Sequence, residues 1–445
     1  MLLPNVGKFA ACWKGARVQG GFPPGGASND GYRPPAANDW PLFFLSYAHS
    51  PQDDQGGTYP DVWIGELYND LCGHVRQLAD LPKGAQPGFM DRELRQGHEW
   101  PDRLAKALAT CRVFVPLYSK RYFKSEQCGK EWFAFNMRRL NHKAKSARPV
   151  ETIIPALWIP LHDGMLPEAA TSVQYNSADF NKLYTEHGFY GIMKVKRWRD
   201  VYEEVAFLLA KQIVAAAEVA PSFPAALVPY ESLPSAFGGD GATGLGDKPL
   251  GITVVAPSKG EVPEGRDDTY YGNDFRAWNP YRGDSIRPLA AHATDVAKGL
   301  SYTPEVGDLF RNEARLIGRE PPSGPEVLLV DPWAAMLTEC GEVLQQLDSM
   351  DTPWVQVVVV WNQKDAQMRT ERRRLRAALE DVLPRKLREG RATHVFAVRG
   401  VPSLEEFGLV LPPVIAEAGR HYLRFLSSRP PQEPQVPQKP EEAGE

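Results

Sequence analysis

The feature that most constrains this chain is a set of short stretches that are apolar at nearly every position. Residues 42–47 (LFFLSY), 113–117 (VFVPL) and 153–158 (IIPALW) lie in the first half. Residues 252–256 (ITVVA), 327–330 (VLLV) and 355–361 (VQVVVVW) lie in the second. Each has the length of a strand and falls short of a core helix. A strand with one wet face alternates apolar and polar side chains, whereas one covered on both faces has no need to. Between the runs, apolar residues recur at helical spacing, as in Trp100, Leu104, Leu108 and Cys111, with Pro101 suited to a first helical turn. Strands that alternate with helices and are apolar on both faces predict parallel sheets covered on both sides. The expected fold class is α/β, as two tandem doubly wound parallel-sheet domains of flavodoxin-like form with flexible termini.

Composition sets the boundaries. Residues 1–39, with Gly20-Gly21-Phe22-Pro23-Pro24-Gly25-Gly26, carry too little apolar surface to offset ordering entropy and read as a flexible arm. Residues 40–218 form the first domain, 219–249 a Pro/Gly-rich linker, 250–427 the second domain, and 428–445 a disordered Pro/Glu-rich tail. In the first domain the spacing predicts helices over 62–78, 126–140 and 198–217 and a short strand at 89–91. In the second it predicts helices over 286–300 and 365–382 and a strand at 394–398. A last helical region over 404–425 should be interrupted by Pro412-Pro413.

Several function classes are disfavoured. A net charge of −4, with basic residues scattered, offers no nucleic-acid surface. No run approaches the eighteen or so apolar residues that cross a bilayer, and the N-terminus lacks a secretion-signal layout, so a cytoplasmic location is expected. The five cysteines, Cys12, Cys72, Cys111, Cys128 and Cys340, are widely spaced and form no CxxC pair, and the histidines show no HExxH, so no metal site is expected. There is no P-loop, no GxGxxG and no GxSxG elbow. The arginines of Arg372-Arg373-Arg374-Leu375-Arg376 read as a solvated helix face, with Leu375 and Leu379 turned inward. The aromatic and arginine-rich loop at 266–281 has hot-spot composition, but folding back on its own domain is the preferred reading.

Three landmarks in the first half occur in order. Phe44-Leu45-Ser46-Tyr47-Ala48-His49-Ser50 is followed by Phe89-Met90-Asp91-Arg92 leading to Gly97 and Leu104. Then come Val115-Pro116-Leu117-Tyr118-Ser119, Tyr122, and Ser125-Glu126-Gln127-Cys128-Gly129-Lys130-Glu131-Trp132. These resemble, in turn, the F-x-S-[YF] opening, the F-x-D segment and the S-x-x-C-x-x-E motif of the TIR family. Within that family the two-half layout and residues 184–190 (YTEHGFY) are similar to the bacterial FxsC group, encoded beside small peptides ending in FxSxx-COOH. The resemblance implies a signalling and protein-interaction role. Its partners would be other TIR domains, further copies of the chain, or a signalling or peptide-maturation protein. No cofactor is required, and NAD enters as a candidate substrate.

In NAD-cleaving members the glutamate of S-x-x-C-x-x-E is catalytic, which the resemblance places on Glu131. A carboxylate beside the ribose suits the positive charge that develops as the nicotinamide–ribose bond breaks. Nicotinamide departs neutral, so one carboxylate suffices. Ser46, Tyr47, Arg92 and Ser119 would border the site at the C-terminal edge of the sheet, where open α/β folds bind ligands. Plainer roles are also open. Glu131 lies early in a helix, where a carboxylate complements the dipole; Ser125 reads as the helix N-cap; Cys128 and Trp132 read as core. Gly129 inside that helix costs about 1 kcal/mol relative to alanine. The second half has no S-x-x-C-x-x-E equivalent and is expected to be noncatalytic.

Overall fold

The structure, a computed structural model, describes residues 40–50, 61–91, 100–147, 149–162, 164–171, 173, 180–220, 230–237, 248–318 and 322–428. The arm expected at 1–39, all but Ser428 of the tail and the loop carrying Arg92 lie outside these residues.

The apolar runs form two four-stranded sheets, both parallel throughout. In the first half, β1 (Phe43–Ser46), β2 (Gly88–Met90), β3 (Val113–Tyr118) and β4 (Ala156–Leu157) take the order β2-β1-β3-β4. Leu45 pairs with Met90 and Ser46 with Pro116, so the residues after β1 and β2 emerge at one edge. The helices around this sheet include α1 (Val62–Leu78), α2 (Trp100–Thr110), α3 (Glu126–Lys145), α4 (Lys182–Lys194) and α5 (Arg199–Val219). The segment 184–190 braces β4. The Tyr184 hydroxyl accepts from Leu157 N at 2.7 Å, and Gly188, at φ +65, lies where a Cβ would stand 2.6 Å from Trp158 O.

The second sheet has β5 (Pro249–Val255), β6 (Thr303–Asp308), β7 (Glu326–Val330) and β8 (Val355–Val359), in the order β6-β5-β7-β8. Its helices include α6 (Leu289–Lys298), α7 (Thr338–Ser349), α8 (Arg372–Val382), α9 (Pro384–Thr393) and α10 (Leu404–Ser428). β7 shows why such strands need no polar face: Val327 and Leu329 enter one core cluster and Leu328 and Val330 another. At the C-terminal edge of this sheet, Arg266 Nη1 donates to Asp365 Oδ2 at 2.6 Å, both side chains nearly inaccessible. The Tyr271 hydroxyl donates to Asp331 Oδ2 at 2.6 Å beneath them. The loop at 266–281 thus does fold back on its own domain.

Several expected elements differ. Residues 395–399 are a short helix, Val395–Arg399, in place of a strand, because Val398 packs against Gly390 of α9. The chain reaches the sheet only at Val401, which bridges Val360. α10 runs through Pro412 and Pro413 without interruption. Burial of Val410, Leu411, Val414 and Ile415 outweighs the lost backbone bonds. The helix expected over 365–382 breaks at Glu371. β6 (TPEVGD) was hidden by its composition: it is an edge strand, where Pro304 is tolerated and a solvated pattern suffices.

The halves are not separate bodies joined by a tether. One hydrophobic core contains Phe135, Met137 and Leu140 of α3 together with Leu289, Ala293, Phe407 and Leu411 of the second half. Lys143 pairs with Asp295 at 3.2 Å, and Ile286 N donates to Ala144 O at 2.9 Å. His292 sits inside this junction, fully buried against Phe407, with neither ring nitrogen hydrogen-bonded. Burial lowers its pKa to about 4. Within the expected linker, residues 230–237 pack on the first half, where Tyr230, Leu233, Ala236 and Phe237 are buried.

Candidate active site

β1 is central in its sheet and buried along its length, so the hydroxyl at its last residue, Ser46, is held in the interior. α3 begins at the N-cap Ser125, whose Oγ accepts from Cys128 N at 3.3 Å. That start sets the rotation of the helix and turns Glu131 toward the end of β1. Ser46 Oγ donates to Glu131 Oε2 at 2.5 Å and lies 3.0 Å from the Tyr122 hydroxyl. A serine has one proton to give, so with that proton on Glu131 the Tyr122 hydroxyl donates the second bond. Tyr122 is fixed in turn: its backbone N donates to Ser119 Oγ at 3.1 Å.

Glu131 is only 6% exposed, and burial raises its carboxyl pKa to about 8. The Ser46 hydrogen bond and His49 oppose that rise, and Asp91 adds to it. Near neutral pH the group therefore carries a proton. Beside it, His49 Nδ1 lies 3.4 Å from Asp61 Oδ2 and its Nε2 lies 3.9 Å from Asp91 Oδ2. Bonding to Asp61, then to Asp91, raises the imidazole pKa to about 9 against the effect of burial. Burial would raise the Asp61 carboxyl, but His49 and Ser50 together lower it. The Tyr47 ring lies 4.6 Å from the His49 ring. Two carboxylates facing one imidazolium leave this cluster net negative.

Of the candidate residues, Ser46 and Glu131 are in direct contact, and Tyr47 flanks them through His49. Ser119 acts at one remove, by holding Tyr122. Arg92 lies outside the described residues. His49, Asp61 and the role of Tyr122 escaped the sequence reading. His49 stood in the first landmark, and Asp61 directly precedes α1, but nothing in one dimension brings them together. Among the described residues, no group of histidine, cysteine or acidic side chains is placed to hold a metal ion. Cys128 is buried beside the site, and burial raises its thiol pKa well above the ordinary value.

The domain is a parallel α/β layer with a buried carboxyl seated at the C-terminal edge of its central strand, the edge at which open α/β folds in general bind ligands. Residues 43–189, about a third of the chain, match the TIR domain family, whose domains in general act in signalling through protein interaction or NAD cleavage. A comparison with curated proteins gives no match.

Proposed function

We propose that the chain is a signalling protein whose TIR half cleaves the nicotinamide–ribose bond of NAD at Glu131. The observation that carries this reading is the Glu131 carboxyl itself: buried, held by Ser46 at the ligand-binding edge, and set in a net negative surround. In the reaction the bond from the nicotinamide nitrogen to ribose C1′ breaks and its electron pair leaves with neutral nicotinamide. Water then adds to C1′ and releases a proton. The resting carboxyl is neutral, but a cation within about 4–6 Å lowers a carboxyl pKa by roughly 1–3. Arrival of the cationic nicotinamide riboside therefore expels the proton from Glu131. The carboxylate becomes charged where positive charge will concentrate on the ribose. His49, paired with Asp61 and Asp91, offsets part of the repulsion that Asp91 exerts on Glu131. The test is nicotinamide release from NAD by the full chain, with activity in wild type and none in Glu131→Gln. Equal release by both would remove Glu131 from the chemistry.

A second reading, association with other TIR domains or with further copies of the chain, rests on a different surface. Val62, Ile159 and Tyr190 are exposed, Trp158 lies 5.8 Å from Tyr190, and the Lys194 ammonium sits 4.6 Å over the Trp63 ring. A continuous aromatic and apolar strip of this kind suits a protein partner. The likeness to the FxsC group directs the partner search to a cytoplasmic peptide-maturation system. It draws on residues 184–190, whose bracing of β4 is already a structural duty. Ile159→Asp with Tyr190→Ala should abolish self-association in sedimentation velocity if this strip is the contact, and unchanged sedimentation would discard it.

A further inference from the structure

Gly129 is costly inside a helix, and its neighbour across space explains it. A Cβ at Gly129 would stand 1.9 Å from Ser235 Oγ, and Ala236 N donates to Gly129 O at 3.1 Å. Two residues toward the N-terminus, the Tyr230 hydroxyl donates to Gln127 Oε1 at 2.7 Å. Phe237 inserts among Tyr122, Phe123 and Trp132, with ring centroids 5.6, 5.1 and 5.8 Å away. Residues 230–237 therefore lie along the first turns of the helix that carries Glu131. They come from outside the family-matched segment 43–189.

The second half holds the other side of this segment. Ser301 Oγ donates to Ala236 O at 2.9 Å, from a residue whose own backbone sits at φ +60, the one non-glycine residue in that region among those described. The contacts are contiguous. Ser301 holds Ala236, the next residue Phe237 packs on Tyr122, the Tyr122 hydroxyl meets Ser46, and Ser46 donates to Glu131.

We propose that residues 230–237 are a positioning strap through which the second half seats α3 and controls the exposure of the Glu131 carboxyl. With the strap seated, Phe237 closes the side of Tyr122 and water is kept from the carboxyl. With the strap released, α3 loses the partners of Gln127 and Gly129 and that side opens. The second half then has a function although it lacks an S-x-x-C-x-x-E motif. Any partner that pulls on it changes the ionisation of a residue in the TIR half.

The control goes beyond the NAD reading and is tested without NAD. Glutamate carrying 13C in its side-chain carboxyl is introduced into the full chain. The Glu131 signal is assigned as the one absent from Glu131→Gln and followed from pH 5 to 10. Gly129→Ala, Phe237→Ala and Ser301→Gly each loosen the strap at a different contact. Amide exchange at Ala236 reports whether it has lifted. In variants with a freely exchanging Ala236 amide, the Glu131 midpoint should fall by about one pH unit or more as burial is lost. Leu387→Ala, in the other core cluster, lowers stability without touching the strap and should leave the midpoint in place. An unmoved midpoint with a freely exchanging Ala236 overturns the proposal. So does an Ala236 amide still protected in all three variants, because these contacts would then not be what holds the segment.

Discussion

Replacing Glu131 by glutamine should change the pH dependence of stability far more than stability itself. The folded carboxyl has its pKa raised to about 8 by burial, against an ordinary value of 4.5. A group raised on folding contributes stability that is fully present below its unfolded pKa and is lost as pH rises through the folded one. A tenfold change in a proton-binding constant is worth about 1.4 kcal/mol, so the whole effect is roughly 5 kcal/mol at its upper limit. Between pH 5.5 and 9 the two-state linkage relation leaves about 3 kcal/mol of it. Glutamine resembles the protonated acid, can still accept from Ser46, and does not titrate. By pH 5.5 wild type has already lost about 1.4 kcal/mol of this contribution, so the variant should lead by about that much. At pH 9 the gap should have moved by about 3 kcal/mol in favour of glutamine. Urea unfolding of the full chain, followed by tryptophan fluorescence in matched buffers, measures the gap. His49 titrates in both proteins, so its own contribution largely cancels in the difference. A gap that stays constant from pH 5.5 to 9 would mean that Glu131 is already ionised in the folded chain, and the reasoning from its burial would fail.

Further outcomes are expected elsewhere. Ser46→Ala removes the hydroxyl that donates to Glu131 and meets Tyr122, so unfolding midpoints should show a loss of about 1–3 kcal/mol. His49→Gln should cost about 1–2 kcal/mol at pH 6, because the contacts are long, and nothing above pH 9, where the raised imidazole has lost its proton; an equal cost at both would refute the pairing. Burial depresses His292 to about 4, so its contribution is present above pH 6.5 and is lost as pH falls. His292→Phe should accordingly reduce acid lability by about 3 kcal/mol at pH 4, read from acid unfolding curves. Arg266→Ala leaves the buried Asp365 carboxyl without its cation and should lose about 3–5 kcal/mol by the same unfolding assay.

What was legible in one dimension follows from what each element needs. β1, β3, β5, β7 and β8 must be apolar on both faces, and their side chains announced them. α3 is readable from Ser125 as its cap, whereas Glu131 stands out only through the likeness to the S-x-x-C-x-x-E motif. β6 needs only edge pairing and so had no apolar signature. The helix Val395–Arg399 and the unbroken α10 are set by what packs against them, and local propensity misread both. Residues 230–237 have the composition of a plain linker, and their anchors, Gly129 and Ser301, are distant in sequence. The odd glycine in α3 was the one trace they left. His49 and Asp61 lie at the two ends of the connection from β1 to α1 and Asp91 directly follows β2, and the parallel register of β1 and β2 gathers them.

The measurement that bears most directly on the proposed function is nicotinamide release from NAD by the concentrated full chain. It should be run at pH 7.5 beside Glu131→Gln and Ser46→Ala, with and without forced clustering. Release by wild type, loss of it in Glu131→Gln and reduced release in Ser46→Ala are the predicted results, with equal amounts of nicotinamide and ADP-ribose or its cyclic form. NAD left intact by clustered wild type, in a chain whose Glu131 carboxyl titrates near pH 8, would contradict the catalytic account and leave the exposed strip around Tyr190 as the working surface.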